Sequence, residues 1–382
     1  MARFPPEEKL ARIALARSPG IGPVLHARLL RRFGDGRAAL RALPGLMARG
    51  RIRGDRVASP EEAARELARA ERLGARLLVL GEADYPARLA HLPDPPPVVA
   101  LRGDISRLDG PAVAVVGARN ASANGRAFAR RMARELAEAG ILVISGLARG
   151  IDTAAHEGAL DRSGGTAGIL ACGLDVAYPP ENAELMEAIA ANGLLLSERP
   201  FGEPPRATHF PRRNRLIAAL SLAVVVVEAA ERSGSLMTAR LAAELGREVM
   251  AVPGTPLDPR HRGTNRLLRE GAALVQSAAE VLELLDGMAG TLRMPTAGRT
   301  TVPEPTVVGT EEWRETAPPN AAAEAPLRER LESRLAPEPL AVDELVRQCQ
   351  ASAADVQEAL LELELAGRIT WHPGNRVSRT TG

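Results

Sequence analysis

Six short apolar runs divide the middle of the chain. Each is rich in Val, Ile, Leu and Ala, and most end at or beside a glycine or serine. Runs of this kind are typical of parallel strands that are buried on both faces of a sheet. The predicted strands are 111–116, 141–145, 166–172, 194–197, 223–228 and 248–252.

Helical segments separate these strands, beginning with 125–139. Alternation of strand and helix at this spacing predicts a doubly wound α/β sheet. Ligands of such sheets bind outside the carboxyl ends of the strands, where helix N-termini offer unpaired N–H groups to an anion. We therefore predict a phosphate-binding edge. Its predicted residues are Gly117, Arg119, Ser145, Gly146, Ser233, Gly234 and Ser235.

Two common nucleotide-binding motifs do not occur at this edge. The first strand is followed by Gly117, Ala118 and Arg119 rather than by G-x-G-x-x-G, and the chain has no G-x-x-x-x-G-K-[ST] sequence. Dinucleotide-binding and P-loop nucleotide hydrolase functions are therefore disfavoured. No cofactor is predicted.

A basic segment at 206–215 is more specific. It contains four arginines, no acidic residue occurs between 204 and 227, and a helix is predicted after it through 216–220. Guanidinium groups beside a helix N-terminus suit phosphates, and Phe210 could stack on a base. The alternative places Phe210 in the core and leaves the arginines solvated. We favour the first interpretation and predict DNA contacts at Phe210, Arg212, Arg213 and Arg215.

The amino-terminal part predicts a small helical domain at 1–75. Helix 10–17, a turn at 18–23 and a second helix resemble a helix-hairpin-helix element, in which the turn and the next helix can bind a phosphate. A secondary DNA site is predicted at Gly20, Gly22, Arg28 and Arg31. The alternative is a tight turn inside a helical bundle. Beyond it we predict a helix at 61–74, a strand at 77–80 and an edge strand at 98–102.

Composition and charge narrow the picture further. Residues 1–110 hold 20 basic and 13 acidic residues, although the whole chain carries a net charge of only +2. A polyanion is therefore attracted first to the amino-terminal part. Cys172 and Cys349 lie too far apart for a zinc motif, so no metal site is predicted. The polar start of the chain and the absence of a long apolar run predict a soluble cytoplasmic protein without a membrane segment.

The middle of the chain resembles the DprA/Smf family of DNA-processing proteins. Matching motifs cover 111–275 almost continuously and in order. They include Val116-Gly117-Ala118-Arg119, Ser145-Gly146-Leu147-Ala148-Arg149-Gly150-Ile151-Asp152, Gly173-Leu174-Asp175 with Tyr178-Pro179, Phe210-Pro211-Arg212-Arg213-Asn214-Arg215 and Ser233-Gly234-Ser235.

This resemblance implies more than the strand pattern does. Family members bind single-stranded DNA through an extended Rossmann fold, which corresponds to 76–286 in this chain. They also dimerise, and they load the RecA recombinase onto incoming DNA during natural transformation. The arginine of the family's G-S-R motif corresponds to Arg119, with Ala118 in place of its serine. The family's basic DNA-contacting segment corresponds to Phe210, Arg212, Asn214 and Arg215, so the resemblance adds Asn214 to the predicted DNA contacts. The family's dimer interface suggests 273–285 as the dimer surface. The resemblance also implies a SAM/helix-hairpin-helix-like amino-terminal domain and a carboxy-terminal winged helix. Our hypothesis is a single-strand-binding protein that is not an enzyme.

Two pairs of polar residues leave alternatives open. Asp152 and His156 stand four apart on one predicted helix, as a catalytic pair or as partners that stabilise the helix N-terminus; we favour the second. Glu198 and Glu228 end two strands, where they could polarise water or orient the arginines. A nucleotide-processing enzyme, similar to a phosphoribohydrolase, is therefore the alternative function. A scaffold that acts through the winged helix alone is a third.

The tail of the chain begins with a predicted flexible linker at 287–325. Helices at 326–335, 341–350 and 352–366, followed by a hairpin at 368–371 and 376–378, predict a winged helix within 326–382. Its third helix carries only acidic charges: Asp355, Glu358, Glu362 and Glu364. A helix that enters a groove of DNA needs the opposite charge, so we predict a protein contact or an intramolecular lid.

Overall fold

A computed structural model describes residues 4–49, 52, 54, 56–160 and 162–289, together with 331–332, 335, 340–349, 356, 360, 363, 368–372 and 376–379. The chain forms two compact units, 1–306 and 307–382. The predicted linker, from position 290 onward, lies outside the described residues.

The first unit contains a nine-stranded sheet. Its strands are β1 (Ala75–Val79), β2 (Val98–Gly103), β3 (Ala112–Val116), β4 (Leu142–Ser145), β5 (Thr166–Leu170), β6 (Leu194–Ser197), β7 (Ala223–Val226), β8 (Glu248–Ala251) and β9 (Ala273–Leu274). In space they follow the order β1-β2-β6-β5-β4-β3-β7-β8-β9. Strands β3 to β9 are parallel, whereas β1 and β2 add an antiparallel extension beside β6. All six predicted strands of the parallel sheet are confirmed.

The prediction that 98–102 forms an edge strand is wrong. Strand β2 lies inside the sheet, with β6 on one side and β1 on the other. Its apolar residues 98–101 are all buried, so both faces of the strand are covered. The edge is β1, which pairs antiparallel with β2 and completes the hydrogen bonding on its outer side.

Helices cover both faces of the sheet. They are α1 (Pro6–Arg17), α2 (Pro23–Phe33), α3 (Gly36–Ala48), α4 (Pro60–Arg72), α5 (Ala87–Ala90), α6 (Ala123–Glu138), α7 (Ile151–Ala159), α8 (Ala183–Asn192), α9 (His209–Leu220), α10 (Gly234–Glu244), α11 (Arg262–Arg269) and α12 (Ala278–Ala289). Along β3, Val113 and Val115 pack with Met132 and Leu136 of α6. Their neighbours Ala114 and Val116 pack in a different apolar cluster. The doubly wound α/β fold is therefore confirmed.

Helices α1, α2 and α3 pack around their own apolar cluster, which includes Leu15, Leu29 and Leu43. Helix α4 instead packs with strand β1 of the sheet through Ala63 and Ala70. The Asp35 side chain accepts a hydrogen bond from the N–H of Ala38 at the start of α3, and Ser59 and Glu62 form a capping box at the start of α4. Such caps satisfy donors that a helix leaves open. The predicted helix, turn and helix at 10–33 are present as α1, a turn and α2.

The only lysine of the chain joins α1 to the sheet. Lys9 Nζ donates hydrogen bonds to Leu77 O (2.9 Å) and to Glu82 Oε1 (2.8 Å). The Glu82 side chain is only 4% exposed. We expect Lys9→Met to lower the free energy of unfolding by about 2 kcal/mol, because the buried Glu82 carboxylate loses its cation. The loss is not larger because Lys9 is partly exposed, so solvent screens part of the interaction. Urea unfolding measures the loss, and Lys9→Met with Glu82→Gln should recover part of it. A single substitution without effect would contradict this role.

The second unit contains α13 (Val342–Cys349) and a three-stranded sheet of β10 (Leu340–Ala341), β11 (Ile369–His372) and β12 (Arg376–Arg379). The hairpin predicted for the winged helix is confirmed by the antiparallel pairing of β11 with β12. The acidic side chains Asp355, Glu358, Glu362 and Glu364 lie outside the described residues. Within the described ranges, no helix is both long and apolar enough to cross a bilayer, and no cluster of His, Cys, Asp and Glu could hold a metal ion.

Candidate nucleic-acid interface

A cleft of about 570 Å³ lies at the carboxyl edge of the sheet, where β3 and β7 end and α9 and α10 begin. The topology creates this cleft, because the carboxyl ends of parallel strands meet at one edge. It brings together most of the predicted site, although those residues are up to 118 positions apart in the sequence. The predicted residues that line it are Gly117, Arg119, Phe210, Arg213, Asn214, Ser233, Gly234 and Ser235.

Close backbone packing at Gly117 and hydrogen bonds at the start of α10 shape this cleft. A Cβ atom on Gly117 would lie 2.6 Å from Ile151 Cγ1 and 3.0 Å from Glu228 O, so only glycine fits there. At the start of α10, Ser233 Oγ accepts a hydrogen bond from the N–H of Ser235 (3.4 Å). The amide of Asn214 donates to Gly234 O (3.3 Å) and connects α9 to that N-terminus. The N-terminus of an 11-residue helix, whose dipole favours an anion, therefore lies at the cleft.

The structure at Ser145 and Gly146 differs from the predicted open amides. The N–H groups of Gly146 and Ala148 donate to Asp152 Oδ2 (3.1 and 3.4 Å), and Ser145 Oγ donates inward to Val115 O (2.7 Å). A carboxylate of the protein therefore occupies the position where a phosphate was predicted to bind these amides. Burial raises the pKa of Asp152, and the guanidinium of Arg213 opposes that rise.

The prediction that Asp152 and His156 are partners is wrong, because each side chain binds the loop before α7. The N–H of Leu147 donates to His156 Nε2 (3.3 Å). His156 Nδ1 lies 2.7 Å from Thr166 Oγ1, which donates to Val143 O (2.8 Å). These contacts require the proton on Nδ1. Burial lowers the pKa of His156 to about 3, so the ring is neutral near pH 7. The pair positions the loop, in which Leu147 has a φ of 55°.

The arginines of the basic segment divide into two kinds. The structure places 209–215 inside α9 rather than before it, so the predicted start of that helix is wrong. Arg213 is 5% exposed, donates to Gly146 O and Ile169 O (2.8 Å), and has its pKa lowered by burial. Arg215 donates to Glu198 Oε2 (2.6 Å) and Asp94 O (2.7 Å). Both guanidinium groups already have protein partners, which leaves their predicted phosphate contacts without support from this geometry.

Arg119 and Arg212 are exposed, and neither has an ion pair within the described residues. The guanidinium carbon of Arg119 lies 4.8 Å from the centroid of the half-buried Phe210 ring. Arg232, which was not predicted from the sequence, is exposed, lines the cleft, and has no described ion-pair partner. Its position next to Ser233-Gly234-Ser235 is a signal that could have identified it.

The two strand-end glutamates have different roles. Glu198 pairs with Arg215 and with Arg199 (2.7 Å), so the prediction that it orients arginines is confirmed. The same prediction is wrong for Glu228, which accepts hydrogen bonds from Ser122 N (2.9 Å) and from Ser122 Oγ at the start of α6. Both carboxylates are therefore held by protein groups, Glu198 by two guanidinium groups and Glu228 by Ser122 at the start of α6.

The predicted secondary site lies elsewhere. Gly20 has a φ of 81°, and Arg28 and Arg31 are exposed on α2. Gly22 lines a second groove of about 830 Å³ between the amino-terminal helices and the sheet, together with Arg212. The structure therefore brings this turn near the basic segment, but not into the first cleft. DNA contacts by Gly20, Gly22, Arg28 and Arg31 stay a prediction.

The fold and the site define a doubly wound α/β protein with a cationic cleft at the carboxyl edge of its sheet. A family model described as DNA recombination-mediator protein A matches residues 76–286. Models of a DprA-like N-terminal HHH domain and a DprA winged helix domain match 6–69 and 315–375. The chain belongs to this family, so the resemblance to DprA/Smf proteins is confirmed.

Individual relatives agree with this assignment. Protein Smf of Synechocystis is 33% identical over 96% of this chain and 98% of its own length. The structure of DNA processing protein A from Streptococcus pneumoniae has 30% identity and a TM-score of 0.61 over 74% of this chain and 98% of that one. A Helicobacter pylori structure concerned with the single-stranded DNA binding mode of DNA processing protein A has 34% identity and a TM-score of 0.51, over 55% of this chain and 96% of that one.

Proposed function

We propose that this protein binds single-stranded DNA in the cleft at the carboxyl edge of the sheet, without catalysing a reaction on it. The observation that carries the proposal is the presence of Arg119 and Arg232 in one cleft with the N-terminus of α10. Cationic side chains and a helix N-terminus both favour phosphates. The single-stranded DNA binding mode of the Helicobacter pylori relative supports the same ligand.

The DNA contacts that we propose differ from those predicted from the sequence. Arg119 and Arg232 neutralise phosphates inside the cleft, and Arg212 does so at the neighbouring groove. The amides at Gly117 and at Ser233-Gly234-Ser235 set the position of the backbone. Arg213 and Arg215 act indirectly, because one fixes the loop at Gly146 and the other ties α9 to Glu198 and Asp94.

The test compares single-stranded with duplex oligonucleotides of equal length across a salt series. The proposal requires tighter binding of the single strand, little preference among base sequences, and an affinity that falls as salt rises. Incubation with nucleoside monophosphates is the second arm, and we expect no release of base. Preference for duplex DNA, or release of base, would overturn the proposal.

We also propose the finer steps that the family resemblance implies. The protein protects incoming DNA and loads RecA onto it during natural transformation, in the cytoplasm. RecA filament formation on DNA that is coated with a single-strand-binding protein provides the assay, and we expect it to accelerate when this protein is added. Contact of the acidic winged helix with another protein stays our proposal for the second unit.

Homodimerisation through 273–285 belongs to the same proposal. In this segment β9 is an edge strand of the sheet, and Leu274 is 51% exposed. An unpaired edge strand with an exposed leucine is a surface on which a second copy can pair. Light scattering gives the mass of the wild type, expected to be dimeric, and of Leu274→Glu, expected to be monomeric. A dimeric variant would exclude this surface.

A further inference from the structure

Tyr178 is an exposed aromatic side chain at the mouth of the site. It is 39% exposed, and no described residue hydrogen-bonds to its hydroxyl group. The only other tyrosine, Tyr85, is buried and donates to Pro96 O (2.6 Å). Tyr85 therefore has an evident structural role, whereas Tyr178 has a ring surface that remains in contact with solvent.

The position of Tyr178 places that ring beside the proposed DNA contacts. Its centroid lies 5.9 Å from that of Phe210, with the two ring planes tilted by 58°. Tyr178, Phe210 and Arg119 line one small pocket next to the cleft. A strand whose phosphate is held by Arg119 therefore passes within reach of this tyrosine.

Phe210, which the sequence favoured as the stacking residue, is less accessible. The guanidinium carbons of Arg119 and Arg213 lie 4.8 and 5.8 Å from its ring centroid, within cation–π distance. The ring is half-buried and is tilted against the ring of Tyr178. A base would have to displace these neighbours from Phe210, whereas Tyr178 is 39% exposed.

The loop that carries Tyr178 is held in place before any ligand arrives. The N–H of Val176 donates to Gly173 O (3.0 Å), and the N–H of Asn182 donates to Pro179 O (3.0 Å). Asp175 Oδ1 accepts from the N–H of Gly202 (2.7 Å). A ring on such a loop loses little conformational freedom when a base binds, which favours affinity.

We propose that Tyr178 stacks on a base of the bound single strand while Arg119 holds a neighbouring phosphate. This inference rests on the proposed function of the cleft. Stacking is tolerant of sequence, because every base offers a π face. It also explains how a site built on phosphate contacts prefers single strands, since the bases of a duplex are already stacked and paired.

The experiment measures the affinities of the wild type, Tyr178→Ala and Tyr178→Phe for an oligothymidylate and for an abasic strand of the same length, over a salt series. We expect Tyr178→Ala to bind the oligothymidylate about tenfold more weakly, as for stacking in other proteins. Tyr178→Phe should stay within about twofold of the wild type. The salt slope should be unchanged in both variants, because the side chain is uncharged. On the abasic strand all three proteins should bind equally.

Each contrary result has its own meaning. Equal oligothymidylate affinity of Tyr178→Ala and the wild type, or the same loss on the abasic strand, would overturn stacking while leaving the proposed function intact. A wild type that does not bind single strands would overturn the proposed function and this inference with it. Thermal unfolding of Tyr178→Ala shows whether a loss of DNA affinity comes from misfolding. In that case, the affinities of Tyr178→Phe and Tyr178→Leu for the oligothymidylate decide whether the ring stacks on a base. We expect the phenylalanine variant to bind clearly more tightly than the leucine variant.

Discussion

The double substitution Arg119→Ala with Arg232→Ala is expected to weaken binding of an oligothymidylate by about 100-fold. Both side chains are exposed at the cleft. Each lost contact between a guanidinium and a phosphate costs about 1.5 kcal/mol, and two of them correspond to roughly that factor. The slope of log affinity against log salt should become shallower by about 1.4, because one phosphate contact on a single strand contributes about 0.7. Fluorescence anisotropy over a NaCl series measures both quantities.

Arg134→Ala provides the matched control. Arg134 is also an exposed arginine, but it lies near the end of α6, a helix that starts at the carboxyl edge of the sheet and runs away from it. Its removal should leave affinity and slope unchanged, apart from the small effect of one unit of net charge. If the double variant behaves like this control, the cleft is not where the DNA lies.

The strands were predictable because their chemistry is local. Residues 112–116 of β3 are all apolar and all buried, and such a run has few alternatives to a strand covered on both faces. The edge of the sheet at which Gly117 and Ser233 meet followed from the parallel topology alone. Identifying the ligand as single-stranded DNA, in contrast, required the family resemblance, since a phosphate-binding edge serves many ligands.

The roles of the arginines were less predictable, for a physical reason. Residues 212–215 are a continuous polar run, and binary patterning places such a run in solvent. In α9, however, Arg213 shares the buried face with Leu216, Ile217 and Leu220. Its acceptors are the carbonyl groups of Gly146 and Ile169, which come from distant parts of the chain. Helical spacing from the apolar residues could have shown the direction of Arg213, but nothing local identifies its partners.

Asp152 illustrates the same limit. Its place near the start of α7 suggested a carboxylate that complements the helix dipole. The structure gives it a second task, because the same carboxylate accepts from the amides of Gly146 and Ala148. An internal anion and an external phosphate present the same chemistry to an amide. The sequence pattern therefore predicted correctly that these amides bind an anion. It did not show that this anion is a carboxylate of the protein itself.

Arg213→Met is expected to be the most destabilising single substitution at this site, with a loss of about 3–5 kcal/mol at pH 8. The change leaves the buried Asp152 carboxylate without its neighbouring cation, and it leaves Gly146 O and Ile169 O without their donor. Urea unfolding measures the loss. The neighbouring Arg212→Met is the matched control, because Arg212 is exposed, and its stability should stay within about 0.5 kcal/mol of the wild type. Equal stabilities of the two variants would contradict a structural role for Arg213.

The pH dependence of that loss distinguishes charge from packing. Burial raises the pKa of Asp152, and in Arg213→Met the opposing guanidinium is gone. A carboxyl group whose pKa is higher in the folded than in the unfolded protein favours folding when protonated, and this contribution is lost as the pH rises through the folded pKa. The gap to the wild type should therefore narrow as the pH falls from 8 towards 5. Adding Asp152→Asn should remove this narrowing, because no titrating carboxyl remains there. A gap that is constant with pH in the single variant would mean that Arg213 stabilises the loop through its hydrogen bonds to Gly146 and Ile169 alone.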